Sequence, residues 1–357
     1  MNSNFSTPFR RLRWWALAGM ALALYTCVDP YSPDIQTGPI KLIVDGLLTD
    51  GPGPYTVTLA LSEPYNNERG TLPVNSAQVY VEDHTGQRFD YTPRGSGIYQ
   101  SDSAGFRGQA GFTYTLFVRA SDGSLYRSRP ELLRAAPAID TAYSEYYSTT
   151  NSAGIRVAGF EVYIETADPD TSGNFYSWNW THYDTINYCL QRLDGETRVM
   201  YLSPCCDPCW TVKRCNGCIN VLSDVFVNGN TLKRQVATIP YNSKSDYFMV
   251  IDQLALSREA YQFWQLVNGQ INNSGGIFDQ PPATVPGNMY LPEKPEEQVL
   301  GFFAAAGLAR KSVYLKRNYV ADPPITTSTG NQITSQTQFC EPCTESRTRT
   351  ARRPPGW

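Results

Sequence analysis

The feature that most constrains this sequence is an alternation of apolar and polar residues with a period of two, which recurs through the first third of the chain. Three runs carry it, at 55–61, 77–82 and 113–118. Turn signals separate the runs, as at Asp122-Gly123. Successive side chains of a strand point to opposite faces, so each run predicts a short strand with one buried face. Residues 41–135 are therefore predicted to form an immunoglobulin-like or prealbumin-like β-sandwich.

The chain between residues 136 and 320 predicts a second β-rich domain. A strand pattern spans 160–165, and the next strand carries an aromatic ladder of Tyr176, Trp178 and Trp180. Alternation places the three rings on one face of that strand. Such a ladder can bind carbohydrate, but a buried core is the commoner role and the one that we predict. The predicted fold class is mainly β.

One packed amphipathic helix is predicted at 257–271. Ser257 can serve as its N-cap, and Glu259 in the first turn suits the helix dipole. The helix carries an apolar stripe at helical spacing, formed by Ala260, Phe263, Trp264, Val267 and Ile271. We expect this stripe to pack against the sheet of the second domain. Closing strands are expected at 299–306 and 312–316.

The N-terminus has the features of a secretory signal. Residues 1–13 include three arginines and no acidic residue, and an apolar run follows at 14–25. That run is shorter than a bilayer span, so it is typical of a signal peptide. A short N-terminal anchor helix is the alternative.

A cysteine follows this apolar run. Leu24-Tyr25-Thr26-Cys27 resembles the lipobox of bacterial lipoproteins, in which the signal is removed and the cysteine is acylated. This predicts a signal peptide over 1–26, lipid attachment at Cys27 and a polar tether over 27–40. The chain is thus predicted to be held on a membrane by lipid.

Eight further cysteines remain, and three pairs of them have CxxC spacing: Cys189, Cys205, Cys206, Cys209, Cys215, Cys218, Cys340 and Cys343. An exported protein folds in an oxidising compartment, which favours disulfides, although eight cysteines allow 105 pairings. Zinc is an alternative, since thiolates at this spacing can share one ion. A redox-active CxxC is a third. The segment 321–357 is rich in arginine, and we expect it to be mobile from residue 344 onward.

Composition and motifs argue against several classes of function. The formal net charge of −3 gives no general electrostatic case for nucleic-acid binding. The chain has two histidines, His84 and His182, and no GxSxG, HExxH or Walker motif. Asp168 opens a sequence similar to a calcium loop, but Asn179 stands where a glutamate is needed, which favours a polar turn. No enzyme, cofactor or metal site is predicted.

Several segments together resemble one family along essentially the whole chain after residue 27. They are Val44–Asp50 written VDGLLTD, 53–57, 247–264, 276–282, Pro286-Gly287-Asn288, 299–303, Cys340-Glu341-Pro342-Cys343 and the terminal Pro354-Pro355-Gly356-Trp357. In this order they are similar to the signatures of the domain-of-unknown-function family 4249.

The resemblance implies an outer-membrane lipoprotein of the Bacteroidota, often encoded beside TonB-dependent receptors and assisting uptake. It carries no established activity. We therefore predict a non-enzymatic outer-membrane lipoprotein that binds a ligand or serves a TonB-dependent receptor, on either the cell surface or the periplasmic face. The alternatives are a structural or adhesive surface lipoprotein and a zinc-binding or redox-active CxxC protein. The ligand is unknown.

Overall fold

A computed structural model describes the following residues of the chain: 39–63, 70–102, 105–186, 191–193, 200–202, 209–215, 218–242, 244, 246–272, 284–325, 343, 345–354 and 356–357. The predictions for the signal peptide, for lipid attachment at Cys27 and for most of the tether lie outside these residues. So do the predictions for Cys189, Cys205, Cys206 and Cys340.

The first half of the described chain consists of strands. They are β1 (Leu42–Thr49), β2 (Thr56–Leu61), β3 (Leu72–Pro73), β4 (Gln78–Asp83), β5 (Arg88–Gly95), β6 (Ile98–Ser101), β7 (Thr113–Arg119), β8 (Leu125–Ser128), β9 (Glu131–Leu132), β10 (Ile139–Thr150), β11 (Arg156–Ala167) and β12 (Phe175–Ile186).

The second half adds further strands, one α-helix and a 3₁₀ turn at Asp224–Phe226. They are β13 (Gln191–Leu193), β14 (Met200–Leu202), β15 (Cys209–Arg214), β16 (Val221–Ser223), β17 (Thr231–Pro240), β18 (Tyr247–Leu256), α1 (Arg258–Ile271), β19 (Met289–Tyr290), β20 (Leu300–Leu315) and β21 (Arg349–Thr350). Within the part of the chain that the structure describes, no helix has the length and hydropathy needed to cross a bilayer.

Most strands belong to one large sheet. Its order is β19-β8-β7-β4-β5-β6-β2-β1-β20-β18-β12-β15-β21, while β3, β9 and β16 pair at its sides with β2, β7 and β12. A second sheet has the order β10-β11-β17, and β13 pairs with β14. The mainly β, sandwich-like fold with one packed helix confirms the predicted fold class.

The long strand β20 joins the two halves of the large sheet. Its first half pairs in parallel with β1, and its second half pairs antiparallel with β18. The sequence predicts two strands here, and this is wrong, because the polar residues between them do not form a loop. Arg310 instead lies opposite Asp252 on β18 and forms an ion pair with it at 2.6 Å from Nε to Oδ1.

Two of the three apolar cores among the described residues confirm the alternation read from the sequence. The first is enclosed by the N-terminal strands and β20, and it includes Tyr55, Val57, Leu59, Val79, Leu116 and Phe303. The second lies between the three-stranded sheet and one face of β12, β18 and β20. There Tyr176 and Trp178 are each 1% exposed and Trp180 is partly buried, so the aromatic ladder belongs to a core as predicted.

The described end of the chain is docked on the sheet. A disulfide joins Cys209 on β15 to Cys343, and β21 pairs with β15. The ring of Trp357 packs edge-on against Phe248, with 5.3 Å between ring centroids, and also contacts Trp210 and Tyr314. The expectation of a mobile tail is therefore wrong for 345–354 and 356–357. Trp357 and the disulfide of Cys343 attach this segment to the sheet, which its polar composition did not indicate.

Two glycines, Gly301 and Gly287, allow the backbones of β1, β20 and the loop before β19 to approach one another closely. Gly301 on β20 has a φ of +84°, and a Cβ there would overlap the carbonyl oxygen of Val44. A Cβ on Gly287 would overlap the carbonyl oxygen of Gly301. Glycine is the residue that permits both the left-handed conformation and this close approach.

We expect Gly301→Ala to lower the free energy of unfolding by at least about 2 kcal/mol, because the added Cβ is strained in this conformation and clashes with β1. Gly269→Ala is the matched control. Gly269 is exposed on α1 with nothing within 4 Å of an added Cβ, so this substitution should stabilise the protein by about 0.5–1 kcal/mol. Urea unfolding measures both, and two changes of equal sign would contradict the structural role given to Gly301.

Candidate functional site

A cleft of about 500 Å³ lies between α1 and one face of four neighbouring strands, β1, β20, β18 and β12. The strand register shows how that face is composed. Asp45 lies opposite Phe302 on β20, and Ser177 lies opposite Leu254 on β18. Alternate residues of a strand share a face, so the cleft is lined by these four residues and by the residue two positions after each of them. Its volume is in the range of sites that hold small molecules.

Most of the cleft wall is apolar. The sheet contributes Leu47, Leu254, Phe302 and Ala304, and the helix contributes Trp264 and Val267. Polar side chains lie at its two sides, with Asp45 on β1 and with Ser177 and Asn179 on β12. The cleft therefore combines a large apolar surface with a few polar groups at fixed places, which is the usual composition of a ligand site.

The helix is fixed to the sheet by its first half. Ser257 caps it as predicted, since its Oγ accepts a hydrogen bond from the backbone N–H of Ala260 at 3.0 Å. Ala260 and Phe263 are buried against the sheet, but Ile271 is 60% exposed. Trp264 and Val267 are partly buried and pack against the same core, so the predicted packing of the stripe is correct except at Ile271. Trp264, Val267 and Ile271 also line the cleft. Helical spacing alone could not show that these residues border a cleft as well as the core.

Asp45 is the one charged residue among those described along the cleft. Asp45 is exposed to solvent, but the surrounding protein partly desolvates its carboxylate, which raises the pKa of Asp45. Within the described part of the chain it has neither a hydrogen bond nor an ion pair. A carboxylate in this setting attracts a cation or a hydrogen-bond donor from a ligand. Asp45 figures in the sequence analysis only as part of the family signature at Val44–Asp50, with no role assigned to it.

The described cysteines form two disulfides, in support of the disulfide prediction. Cys215 and Cys218 are joined to each other and line the cleft, whereas Cys209 is joined to Cys343 away from it. The second bond links two CxxC pairs to each other, a pairing that spacing alone could not give. Across the described residues, no set of three His, Cys, Asp or Glu side chains is placed to hold a metal ion.

The sequence similar to a calcium loop forms a polar turn before β12, as predicted. The carboxylate of Asp168 is buried, and it accepts hydrogen bonds from Tyr176 Oη at 2.6 Å and from the Gly229 N–H at 3.1 Å. Burial and this bond to a carboxylate raise the pKa of Tyr176. Asn179 lies within β12, where its side chain lines the cleft.

A buried glutamate fixes the start of the helix. Glu131 is 3% exposed and accepts hydrogen bonds from Ser257 Oγ at 2.7 Å and from Asn288 Nδ2 at 3.1 Å. Asn288 also bonds the backbone of Phe303, donating to its carbonyl oxygen at 2.7 Å and accepting from its N–H at 3.0 Å. This junction holds together β9, β20 and the helix cap, which directly follows the cleft-lining residue Leu256. Burial raises the pKa of Glu131 to about 7.

Comparison with known families gives one match. The model of the family described as Domain of unknown function (DUF4249) matches residues 28–312. These residues include the cleft and every member of the Glu131 junction, but not Cys343 or Trp357. No curated protein matches the sequence.

The Glu131 junction predicts a pH-dependent stability. Between about pH 4.5 and pH 7 the folded protein keeps a proton that the unfolded chain has lost, so the free energy of unfolding falls as the pH rises. The total fall from this group is about 3 kcal/mol, since each pKa unit corresponds to about 1.4 kcal/mol. Glu131→Gln, which carries no charge at any pH, should remove this fall and exceed the wild type in stability at pH 8.

Urea unfolding at intervals from pH 4.5 to pH 8.5 measures this difference. Glu293→Gln is the matched control, because Glu293 is exposed, and it should retain the pH dependence of the wild type. An unchanged slope in Glu131→Gln would show that another group is responsible.

Proposed function

The chain belongs to the DUF4249 family, and from this premise we propose that it is a non-enzymatic, lipid-anchored outer-membrane protein that binds a small ligand. The proposed binding site is the cleft beneath α1, and the proposed role is that of an accessory subunit in a TonB-dependent uptake system. The observation that carries the proposal is the cleft itself, with its apolar wall and its carboxylate.

The composition of the cleft supports binding. Leu254, Phe302 and Trp264 offer apolar area whose burial drives association, and Asp45 and Ser177 can orient a ligand. The two cysteines in the wall are joined in a disulfide and so present no thiolate nucleophile. The first half of the helix is fixed by the Glu131 junction, which keeps the site preformed and lowers the entropic cost of binding.

The N-terminal sequence supports the membrane anchor. Several acyl chains on Cys27, each buried CH₂ contributing about 0.8 kcal/mol, would hold the protein on a membrane almost permanently. The polar residues that follow Cys27 would then separate the β-rich part from the bilayer surface. A ligand-binding protein in this position can pass its ligand to an outer-membrane receptor beside it.

The anchor is tested by metabolic labelling with an alkyne fatty acid in cells that express the tagged full-length chain. We expect the wild type to carry the label and to sediment with outer membranes, and Cys27→Ser to lose the label. Cys218→Ser, which replaces a cysteine of the cleft wall, should keep it. Label retained by Cys27→Ser would refute attachment at this residue.

The partner is tested by isolating the tagged wild type from outer membranes in a mild detergent. We expect a TonB-dependent β-barrel receptor to be recovered with it, and Cys27→Ser to recover less of that receptor. Recovery of the lipoprotein without any β-barrel protein would contradict the accessory role.

Binding in the cleft is tested by photolabelling with a neutral alkyl diazirine, followed by peptide mass spectrometry. We expect saturable labelling of peptides from α1 and β20. Val267→Trp fills the cleft from the helix and should reduce this labelling at least about tenfold, the factor that corresponds to 1.4 kcal/mol. Leu266→Trp is the matched control, because the neighbouring Leu266 is 52% exposed and does not line the cleft. Equal labelling of the two variants would refute this site.

A further inference from the structure

The polar groups of the cleft are placed at its two opposite sides. Asp45 is on β1, whereas Ser177 and Asn179 are on β12, and β20 and β18 lie between them. Three inter-strand steps of roughly 4.8 Å separate β1 from β12, which is about 14 Å across the sheet. The strand register adds an offset along β20, because Asp45 aligns with Phe302 and Ser177 aligns, through Leu254, with Leu308. The site is therefore elongated.

The two sides of the cleft differ in charge. On the β12 side, Ser177 and Asn179 are neutral donors and acceptors. Beyond them on this face of the sheet, Asp252 and Arg310 form an ion pair with each other, and Arg214 on β15, opposite Thr181, donates a hydrogen bond to the carbonyl oxygen of Arg347. The Asp45 carboxylate is the uncompensated charge among the described lining residues, and the wall between the two sides is apolar.

We infer that the cleft selects an elongated amphipathic cation. Its ammonium or guanidinium group would pair with Asp45, its apolar body would lie along Phe302, Ala304 and Leu254, and a neutral polar end would reach Ser177 and Asn179. This inference rests on the proposed function and specifies the ligand class for it. A carboxylate head group is excluded from the Asp45 side, because like charges repel in a partly desolvated cleft.

The experiment is competition against the diazirine probe, with the full-length lipoprotein in nanodiscs of phosphatidylcholine. Dodecylamine, dodecanol and dodecanoate are the competitors, since they share one apolar chain and differ in the head group. A hydrogen-bonded charge pair is worth about 1.5–3 kcal/mol, or a factor of about ten or more. We therefore expect dodecylamine to displace the probe at a concentration at least about tenfold lower than dodecanoate, with dodecanol between them.

The matched variant is Asp45→Asn, which keeps the shape of the side chain and removes its charge. It should bring the three competitors within about threefold of one another, mainly by weakening dodecylamine and strengthening dodecanoate. Asp45→Glu keeps the charge and should keep the preference for the amine. Glu296→Gln, at an exposed residue outside the cleft, should behave as the wild type. The preference of the wild type is itself a test that does not depend on any variant folding.

The outcomes separate this inference from the proposal on which it rests. Saturable cleft labelling with equal competition by the three compounds would overturn the cation preference and leave ligand binding intact. A preference for dodecylamine that persists in Asp45→Asn would assign the selectivity to another group and also overturn the inference. Labelling that is not saturable, and that Val267→Trp leaves unchanged, would refute the site and the inference together.

Discussion

The structure depends on the meeting of β1, β20 and the loop before β19, where backbone replaces side chains as the packing surface. Gly301 and Gly287 permit the contact, and Asn288 completes it by satisfying both backbone groups of Phe303. Unpaired backbone groups in such a buried place would cost a large part of the stability of a domain. The two halves of the large sheet are joined here, and so the cleft that spans them is also defined here.

The Glu131 junction shares Asn288 with this contact and fixes the start of α1. Glu131 is buried beside the helix cap, where its two acceptor oxygens are used by Ser257 and Asn288. A carboxylate held in this way can set the start of a helix with high precision, but its ionisation is penalised by burial. Asp45 is placed differently, because it faces an open cleft and has no described partner. One acidic group thus serves the fold, and the other is the charge that we propose pairs with a ligand.

Local pattern was sufficient to predict the elements but not their assembly. Alternation identified the inward faces of β2, β4 and β7, and capping chemistry identified Ser257, since both signals are carried by neighbours in the sequence. The continuity of β20 was not predicted, because a charged residue such as Arg310 favours a loop. Only the structure shows that Asp252 on β18 lies opposite it and pairs with its charge. The cleft escaped prediction for a related reason. Asp45 and Ser177 come from strands far apart in the chain, and neither carries a signal of its own.

The pairing of β1 with β20 also governs how this chain can reach its native state. Val44 aligns with Gly301, so the first strand cannot complete its pairing before most of the polypeptide has been synthesised. Contacts of such high sequence separation are formed late and slowly, since the entropy of a long loop must be lost first. Until then β1 presents an open edge to other chains. Protection of that edge during synthesis is therefore part of what this topology requires of the cell.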